Sequence, residues 1–338
     1  MKTLICTQPG HFEFTETIFP VRNSGETLLQ IKRIGICGTD LHAYEGTQPY
    51  FSYPRILGHE LAGEIIETDA EGFSKGEQVA IIPYIHCGNC IACKQEKTNC
   101  CTSLQVLGVH VDGGMREYIV VPNKLLIKGN GLSLDELALI EPLSIGAHGV
   151  RRAQIEANEF VLIIGAGPIG LGVIEFAKIA GARVIVMDVN DNRLNFCQTN
   201  LHVEFLINPS KQDAIEVLKS ITNQQMASVV IDATGNLQAI NKGLQFLAHA
   251  GRYVLVGLQK EAFSFSHPEF HKREATLMSS RNATRSDFEW VMDCIQNGKI
   301  KPKDFISHII DFEEVNNQFA SFLNPHLNVI KAIVKLDS

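Results

Sequence analysis

At 338 residues the chain is long for a single hydrophobic core, so two domains are expected. Its 45% hydrophobic and 20% charged residues describe a folded soluble protein, neither disordered nor fibrous. A formal charge of −7 without a basic cluster argues against a nucleic-acid or anionic-membrane partner.

Lys2 is followed by an apolar run too short for a secretory leader. The apolar stretch from Phe160 to Ile174 is broken by glycines and Pro168 and reads as soluble core. Nine cysteines, five of them between Cys87 and Cys101, suit a reduced compartment and a metal site better than a disulfide framework, so the expected location is the cytoplasm.

Residues 1–147 read as β-rich, with short strands at Leu28–Ile34, Ala62–Thr68, Gln78–Pro83 and Glu117–Val121 between Gly and Pro turns, the punctuation of a barrel or sandwich. From Phe160 the pattern becomes apolar strand, glycine turn, helix, repeated. The strands are Val161–Ile164, Arg183–Asp188, Phe205–Asn208, Val229–Thr234, Tyr253–Gly257 and Thr276–Ser280, which spells a doubly wound parallel sheet over 148–285. Residues 286–338 give one helix, about Asp287–Asn297, then strands Ile306–Ile310 and Lys331–Lys335. This tail is expected to return to the first domain.

Within the first domain, Gly35-Ile-Cys37-Gly-Thr39-Asp40-Leu-His42 is followed by a stretch rich in Tyr, Phe and Pro and then by Gly58-His59-Glu60. Cys, His and Glu are ligand types for a borderline-soft divalent metal, and a catalytic zinc takes three such ligands and keeps a position open. One Cys and one His taken alone are more often part of a packed turn. Cys87, Cys90 and Cys93 with a fourth thiol have the compact spacing of a closed, structural four-cysteine zinc site; spacing alone permits either Cys100 or Cys101 as the fourth.

In the second domain Gly165-Ala-Gly167-Pro168-Ile169-Gly170 follows a strand, opens a helix and lies eighteen residues before Asp188 at the end of the next strand. That context makes it a dinucleotide fingerprint: the glycines allow a tight turn, a pyrophosphate approach and close helix–strand packing, and the helix N-terminus favours the anion. Asp188 would accept from the adenosine ribose hydroxyls and repel a 2′-phosphate, which favours NAD over NADP. Arg193, on the following helix, is the one nearby cation. Thr234 and Gly257, at the ends of two further strands, complete the expected cofactor residues.

These motifs, in this order and over essentially the whole chain, resemble the zinc-dependent medium-chain alcohol and polyol dehydrogenases. The resemblance implies a GroES-like barrel joined to a Rossmann domain. It implies Cys101 over Cys100 in the structural site, and Glu141, in Glu-Pro-Leu-Ser, as a third catalytic ligand. Glutamate at 141 points to the sorbitol and threonine dehydrogenase branch, and segments such as Leu107-Gly-Val-His-Val-Asp-Gly-Gly and Ser280-Arg-Asn-Ala-Thr resemble the sugar-acid 5-dehydrogenases for L-galactonate and L-gulonate within it. Two zinc ions per chain, a homo-dimer or homo-tetramer and a small-molecule sugar acid or polyol follow from the same resemblance. A sorbitol-like polyol or threonine dehydrogenase is the neighbouring alternative, and a non-catalytic binding protein of the same fold the alternative from another class.

A zinc there would act as a Lewis acid on a substrate hydroxyl, with hydride leaving to the nicotinamide. Thr39 is placed to take the hydroxyl proton and His42 to relay it to solvent. Asp40 would orient His59, while Glu60 and Glu141 compete for the metal, a choice the residues leave open. A substrate carboxylate calls for a bidentate cation, for which Arg281 is the first candidate, with Asn282 and His110 as hydroxyl partners and Arg55 and Arg116 behind them. With Glu141 more than eighty residues past Glu60, the metal is expected at the domain junction.

Overall fold

The computed structural model describes residues 1–48 and 51–336, and divides into two compact units, Met1–Glu141 with Thr284–Ser338, and Pro142–Ala283. The limits expected from the sequence, 147/148 and 285/286, fall inside two helices, Ile140–Ala153 and Arg285–Gln296, that run unbroken past them.

In chain order the first unit opens with β1 (Lys2–Gln8) and β2 (His11–Glu16), then β3 (Glu26–Ile36), α1 (Gly38–Tyr44), β4 (Glu60–Thr68) and β5 (Gln78–Ile81). Next come β6 (Tyr84–Ile85), α2 (Ile91–Lys94), β7 (Gln105–Val106), β8 (Tyr118–Pro122), β9 (Leu126–Lys128) and α3 (Leu134–Ala138). Helix α4 (Ile140–Ala153) leads into the second unit: β10 (Phe160–Ile164), α5 (Pro168–Ile179), β11 (Arg183–Met187), α6 (Asp191–Thr199), β12 (Phe205–Ile207), α7 (Ala214–Ile221), β13 (Ala227–Asp232), α8 (Leu237–Gly243), β14 (Leu247–Leu255), α9 (His267–Lys272) and β15 (Thr276–Ser279). Helix α10 (Arg285–Gln296), β16 (Ile306–Asp311), α11 (Val315–Gln318) and β17 (Lys331–Lys335) then complete the first unit.

The second unit is the doubly wound sheet expected from the sequence: six parallel strands in the order β12-β11-β10-β13-β14-β15. Its inner strands are near-continuous Val, Leu and Ile runs because helices cover both faces of such a sheet. Val161, Leu162, Ile163, Ile185, Val229 and Val230 are fully buried. Helix starts are chemically marked: Asn190 accepts from the N–H groups of Asn192 and Arg193, Asp213 does the same for Ile215 and Glu216, and Pro168 opens α5 where no N–H is needed.

The first unit is built on the sheet β16-β17-β3-β4-β5-β9, with β8 paired to β3. Strand β3 is longer than expected, eleven residues, because β4 pairs along it from Thr27 to Gly35 while β8 pairs with its start and β17 with its C-terminal end. The β1–β2 hairpin, which the sequence reading did not resolve, packs Phe12 edge-on to Phe319 and Phe14 edge-on to Phe312, tying the N-terminal strands to the C-terminal segment. Among the described residues no helix is long and apolar enough to cross a membrane.

Candidate active site

Strand β3 ends at Ile36 and Cys37 caps α1. The Asp40 carboxylate reaches back to the Cys37 N–H at 2.9 Å and, with its other oxygen, across to the Gly58 N–H at 3.2 Å, so one buried side chain ties both halves of the Cys/His stretch together. That second oxygen lies 3.6 Å from Nδ1 of His59, a buried nitrogen with no hydrogen-bond partner. Cys37, His59 and Glu60 each present a ligand atom within 4.8 Å of the others.

Glu60 is fully buried and both its oxygens meet Nζ of Lys331, at 2.6 and 2.7 Å; the ammonium also donates to the Ile36 carbonyl at 3.2 Å. The sheet arranges this encounter. Gly35 pairs with Glu60 on one side and Ile333 on the other, and a Cβ at position 35 would sit 2.0 Å from Oε2 of Glu60, so the missing side chain leaves the room in which the Glu60 side chain lies. Glu141, at the start of α4, belongs to the same unit and accepts a hydrogen bond from the buried Tyr84 hydroxyl.

The electrostatics follow from burial. Desolvation pushes Glu141 up to about 7, Glu60 adds to the shift, and His59, Tyr84 and Lys331 oppose it. Burial alone would lower the pKa of His59, but Asp40, Cys37 and Glu141 around it raise it well above the usual imidazole value. The same contest keeps Lys331 charged: desolvation is outweighed by Glu60 and Cys37. The pocket gathers the Asp40, Glu60 and Glu141 carboxylates and the Cys37 thiol around His59 and the Lys331 ammonium, a donor-rich set suited to a divalent cation. The thiol, imidazole and carboxylate donors, and the partnerless His59 nitrogen facing Asp40, fit zinc.

The second cluster is Cys87, Cys90, Cys93 and Cys101, again with ligand atoms within 4.8 Å of one another. Cys101 is buried inward while Cys100 is exposed. Backbone N–H groups already point at the sulfurs: Cys87 and Ser103 donate to Cys101 at 3.3 and 3.4 Å, and Cys90 donates to Cys87 at 3.4 Å. The Cys93 and Thr102 N–H groups draw the Cys90 thiol down to about 5. Four thiols so prepared suit a closed tetrahedral zinc.

In the second unit β10 runs through Gly165 and Ala166 into α5, with Gly167 as cap, Pro168 and Ile169 in the first turn and Gly170 behind them. A Cβ on Gly170 would lie 1.9 Å from the Gly165 carbonyl oxygen, so this turn closes only on glycine. Asp188 accepts from the Ala166 N–H at 2.7 Å and the Asn190 N–H at 2.8 Å, and therefore braces the turn as well as facing it. Arg193 lies 3.9 Å from Asp188 and the same distance from where a Gly167 Cβ would be, closer to the turn than its place on α6 suggested. Thr234 spends its hydroxyl on Asp232, and Gly257 packs against Gly235, so both shape the wall beside Gly165. This cradle fits a dinucleotide pyrophosphate.

The remaining expected residues are dispersed. Thr39 is half-buried on the first turn of α1; His42, 63% exposed, meets Thr47 at 3.2 Å and Glu45 at 3.5 Å. His110 accepts from the Val106 N–H through Nδ1. Arg55 is engaged by Asp112 and Ser52. Arg281 and Asn282 lie in the second unit just after β15; Nδ2 of Asn282 and the neighbouring Ser280 hydroxyl are buried without hydrogen-bond partners. Sequence reasoning missed Lys331 and Tyr84. The first reads as one more lysine on a strand, and the second falls just past the expected strand Gln78–Pro83.

Residues 23–131 match the alcohol dehydrogenase GroES-like domain and residues 168–297 the zinc-binding dehydrogenase domain. L-galactonate-5-dehydrogenase of Escherichia coli K12 is 43% identical over 336 residues, 99% of this chain and 98% of the relative. The chain belongs to the zinc-dependent medium-chain alcohol dehydrogenases. Among solved structures, the alcohol dehydrogenase rspB from E. coli CFT073, complexed with NADH, superposes on this dehydrogenase with a TM-score of 0.92 at 32% identity, covering 99% of each chain. L-idonate 5-dehydrogenase from E. coli K-12 gives 0.90 at 26% identity, over 99% of this dehydrogenase and 98% of that chain.

Proposed function

We propose that this dehydrogenase oxidises the C5 secondary hydroxyl of a sugar acid of the L-galactonate or L-gulonate type, with NAD as acceptor. The observation that carries the reading is the set of Cys37 and the buried His59 and Glu60, whose ligand atoms lie within 4.8 Å of one another, with the buried Glu141 carboxylate in the same unit. The full-length likeness to L-galactonate-5-dehydrogenase supports the substrate class.

In this reading Cys37, His59 and the two glutamates hold a catalytic zinc, which supplies Lewis acidity to the substrate hydroxyl. Asp40 fixes the imidazole of His59. Thr39 accepts the hydroxyl proton, and His42, already at the surface, delivers it to solvent. The Gly165–Gly170 turn and Asp188 seat the cofactor, and Asp188 repels a 2′-phosphate. Arg281 binds the substrate carboxylate, with Asn282 and His110 on its hydroxyls. Cys87, Cys90, Cys93 and Cys101 hold a structural zinc, giving two per chain in a cytoplasmic homo-dimer or homo-tetramer.

The test is a panel of aldonates, polyols and amino-alcohols offered with NAD and with NADP, read by absorbance of the reduced cofactor. NAD reduction with an L-aldonate is the expected result; a preference for sorbitol or threonine, or for NADP, refutes it. Arg281→Ala should raise KM for the aldonate far more than for a neutral polyol, and an equal rise removes the carboxylate role.

A further inference from the structure

The four-cysteine lobe does not stand apart from the metal pocket. The chain enters it from β6 and leaves it through β7, and those strands pair at only two positions, Tyr84 with Val106 and Ile85 with Gln105, supported by a bond from the Leu107 N–H to the Pro83 carbonyl at 3.0 Å. A pair this short is marginal by itself, so whatever closes the lobe between Cys87 and Cys101 also decides whether β6 keeps its place. Tyr84 is the first residue of β6, and its buried ring packs edge-on to Phe288 of α10 with centroids 6.1 Å apart. Its hydroxyl gives the Glu141 carboxylate the one hydrogen bond which that group has among the described residues, and gives it to Oε1.

We infer, resting on the proposed catalytic zinc, that Tyr84 is a positioning residue through which the closed cysteine lobe sets the Glu141 carboxylate for that metal. The last torsion of a glutamate is broad and nearly two-fold, so a buried carboxylate with no fixed partner can turn either oxygen toward a metal. The phenol takes Oε1, which fixes the plane of the carboxylate and leaves Oε2 without a hydrogen bond. The hydroxyl is itself held by the β6–β7 pair behind it and by Phe288 beside it. A zinc in the lobe, with its coordination closed, therefore reaches the chemistry at one remove: it holds β6, β6 holds Tyr84, and Tyr84 holds the ligand. No proton or electron moves in this arrangement.

Tyr84→Phe keeps the ring against Phe288 and removes only the O–H. In the hybrid protein that carries cobalt(II) in the catalytic site and zinc in the lobe, a chelator should strip the cobalt roughly tenfold faster from this variant than from the wild type, the lower end of what a hydrogen bond to a metal ligand contributes. The visible cobalt spectrum should shift as well, because the carboxylate turns. Cys101→Ser, which empties the lobe, should speed cobalt release in the same direction although the residue lies in the other cluster. Should that variant not fold, Cys90→Ser, at a half-buried thiol, carries the same comparison. Cys101→His keeps a fourth ligand for the lobe and should restore the wild-type rate.

Both effects run through one hydrogen bond, so the double variant Tyr84→Phe/Cys101→Ser is expected to release cobalt no faster than the faster of the two single variants. Cobalt leaving Tyr84→Phe at the wild-type rate with an unchanged spectrum would overturn the inference. Wild-type release from the protein with an emptied lobe would do so too, as would a double variant whose rate multiplies the two single effects. A wild-type chain that binds only one metal ion refutes the proposed function instead, so the two failures are distinct.

Discussion

Gly35→Ala puts the packing of the metal pocket to a direct test. The new methyl would lie 2.0 Å from Oε2 and 2.8 Å from Cβ of Glu60, and the second contact is so close to the backbone that no rotamer relieves it. Two outcomes are open to the protein. With Glu60 still bonded to Lys331, the protein only has to spread β3 and β4, an overpacking cost of about 1–3 kcal/mol. If Glu60 also turns away to clear Oε2, Lys331 stays buried without its partner, and the loss reaches about 3–5 kcal/mol. Either way the first unit loses at least 1 kcal/mol or so, with about 5 as the upper bound. The chain's single tryptophan, Trp290, sits on α10 in that unit, so urea unfolding followed by its fluorescence reports the affected transition rather than that of the parallel sheet. A shift below about 0.5 kcal/mol, the range of an ordinary surface change, would refute the close packing of Glu60 over Gly35.

Three further expectations follow from the geometry. Cys101→Ser should lower metal analysis from two zinc per chain to one, whereas Cys100→Ser, an exposed thiol outside the cluster, should leave two. Gly170→Ala forces the turn apart at the Gly165 carbonyl, and fluorescence titration should show NADH binding weakened by roughly tenfold. Asp69 is held well below the ordinary carboxylate range by the Asn123 amide and the Gly25 N–H. Because its folded pKa is depressed, its stabilisation is complete above the unfolded value near 4 and fades as pH falls below it. Thermal unfolding should find Asp69→Asn less stable than the wild type at pH 7, with the gap narrowing as the pH is lowered from about 4.

What the sequence revealed depended on how locally each feature is encoded. The four-cysteine lobe and the Gly165–Gly170 turn are legible because ligand spacing and turn chemistry are written within a few residues of each other. The buried strands announced themselves as runs of Val and Ile for the same reason. The Lys331–Glu60 pair could not be read that way: it joins residues 271 positions apart, and depends on the registers of β17 with β3 and of β3 with β4. Nothing in Val-Ile-Lys-Ala-Ile distinguishes that lysine from one pointing at water. Tyr84 was hidden similarly, since its hydroxyl meets Glu141 across 57 positions.

That long separation also orders the life of the nascent chain. At ordinary elongation rates roughly 14–54 s pass between the synthesis of Glu60 and that of Lys331. In that interval the whole of Pro142–Ala283 emerges with every strand of its sheet, while the first unit still lacks β16 and β17. The metal pocket is therefore the last part of the molecule to reach its final electrostatic state. Until the closing strand arrives, Glu60 has no ammonium to hold it.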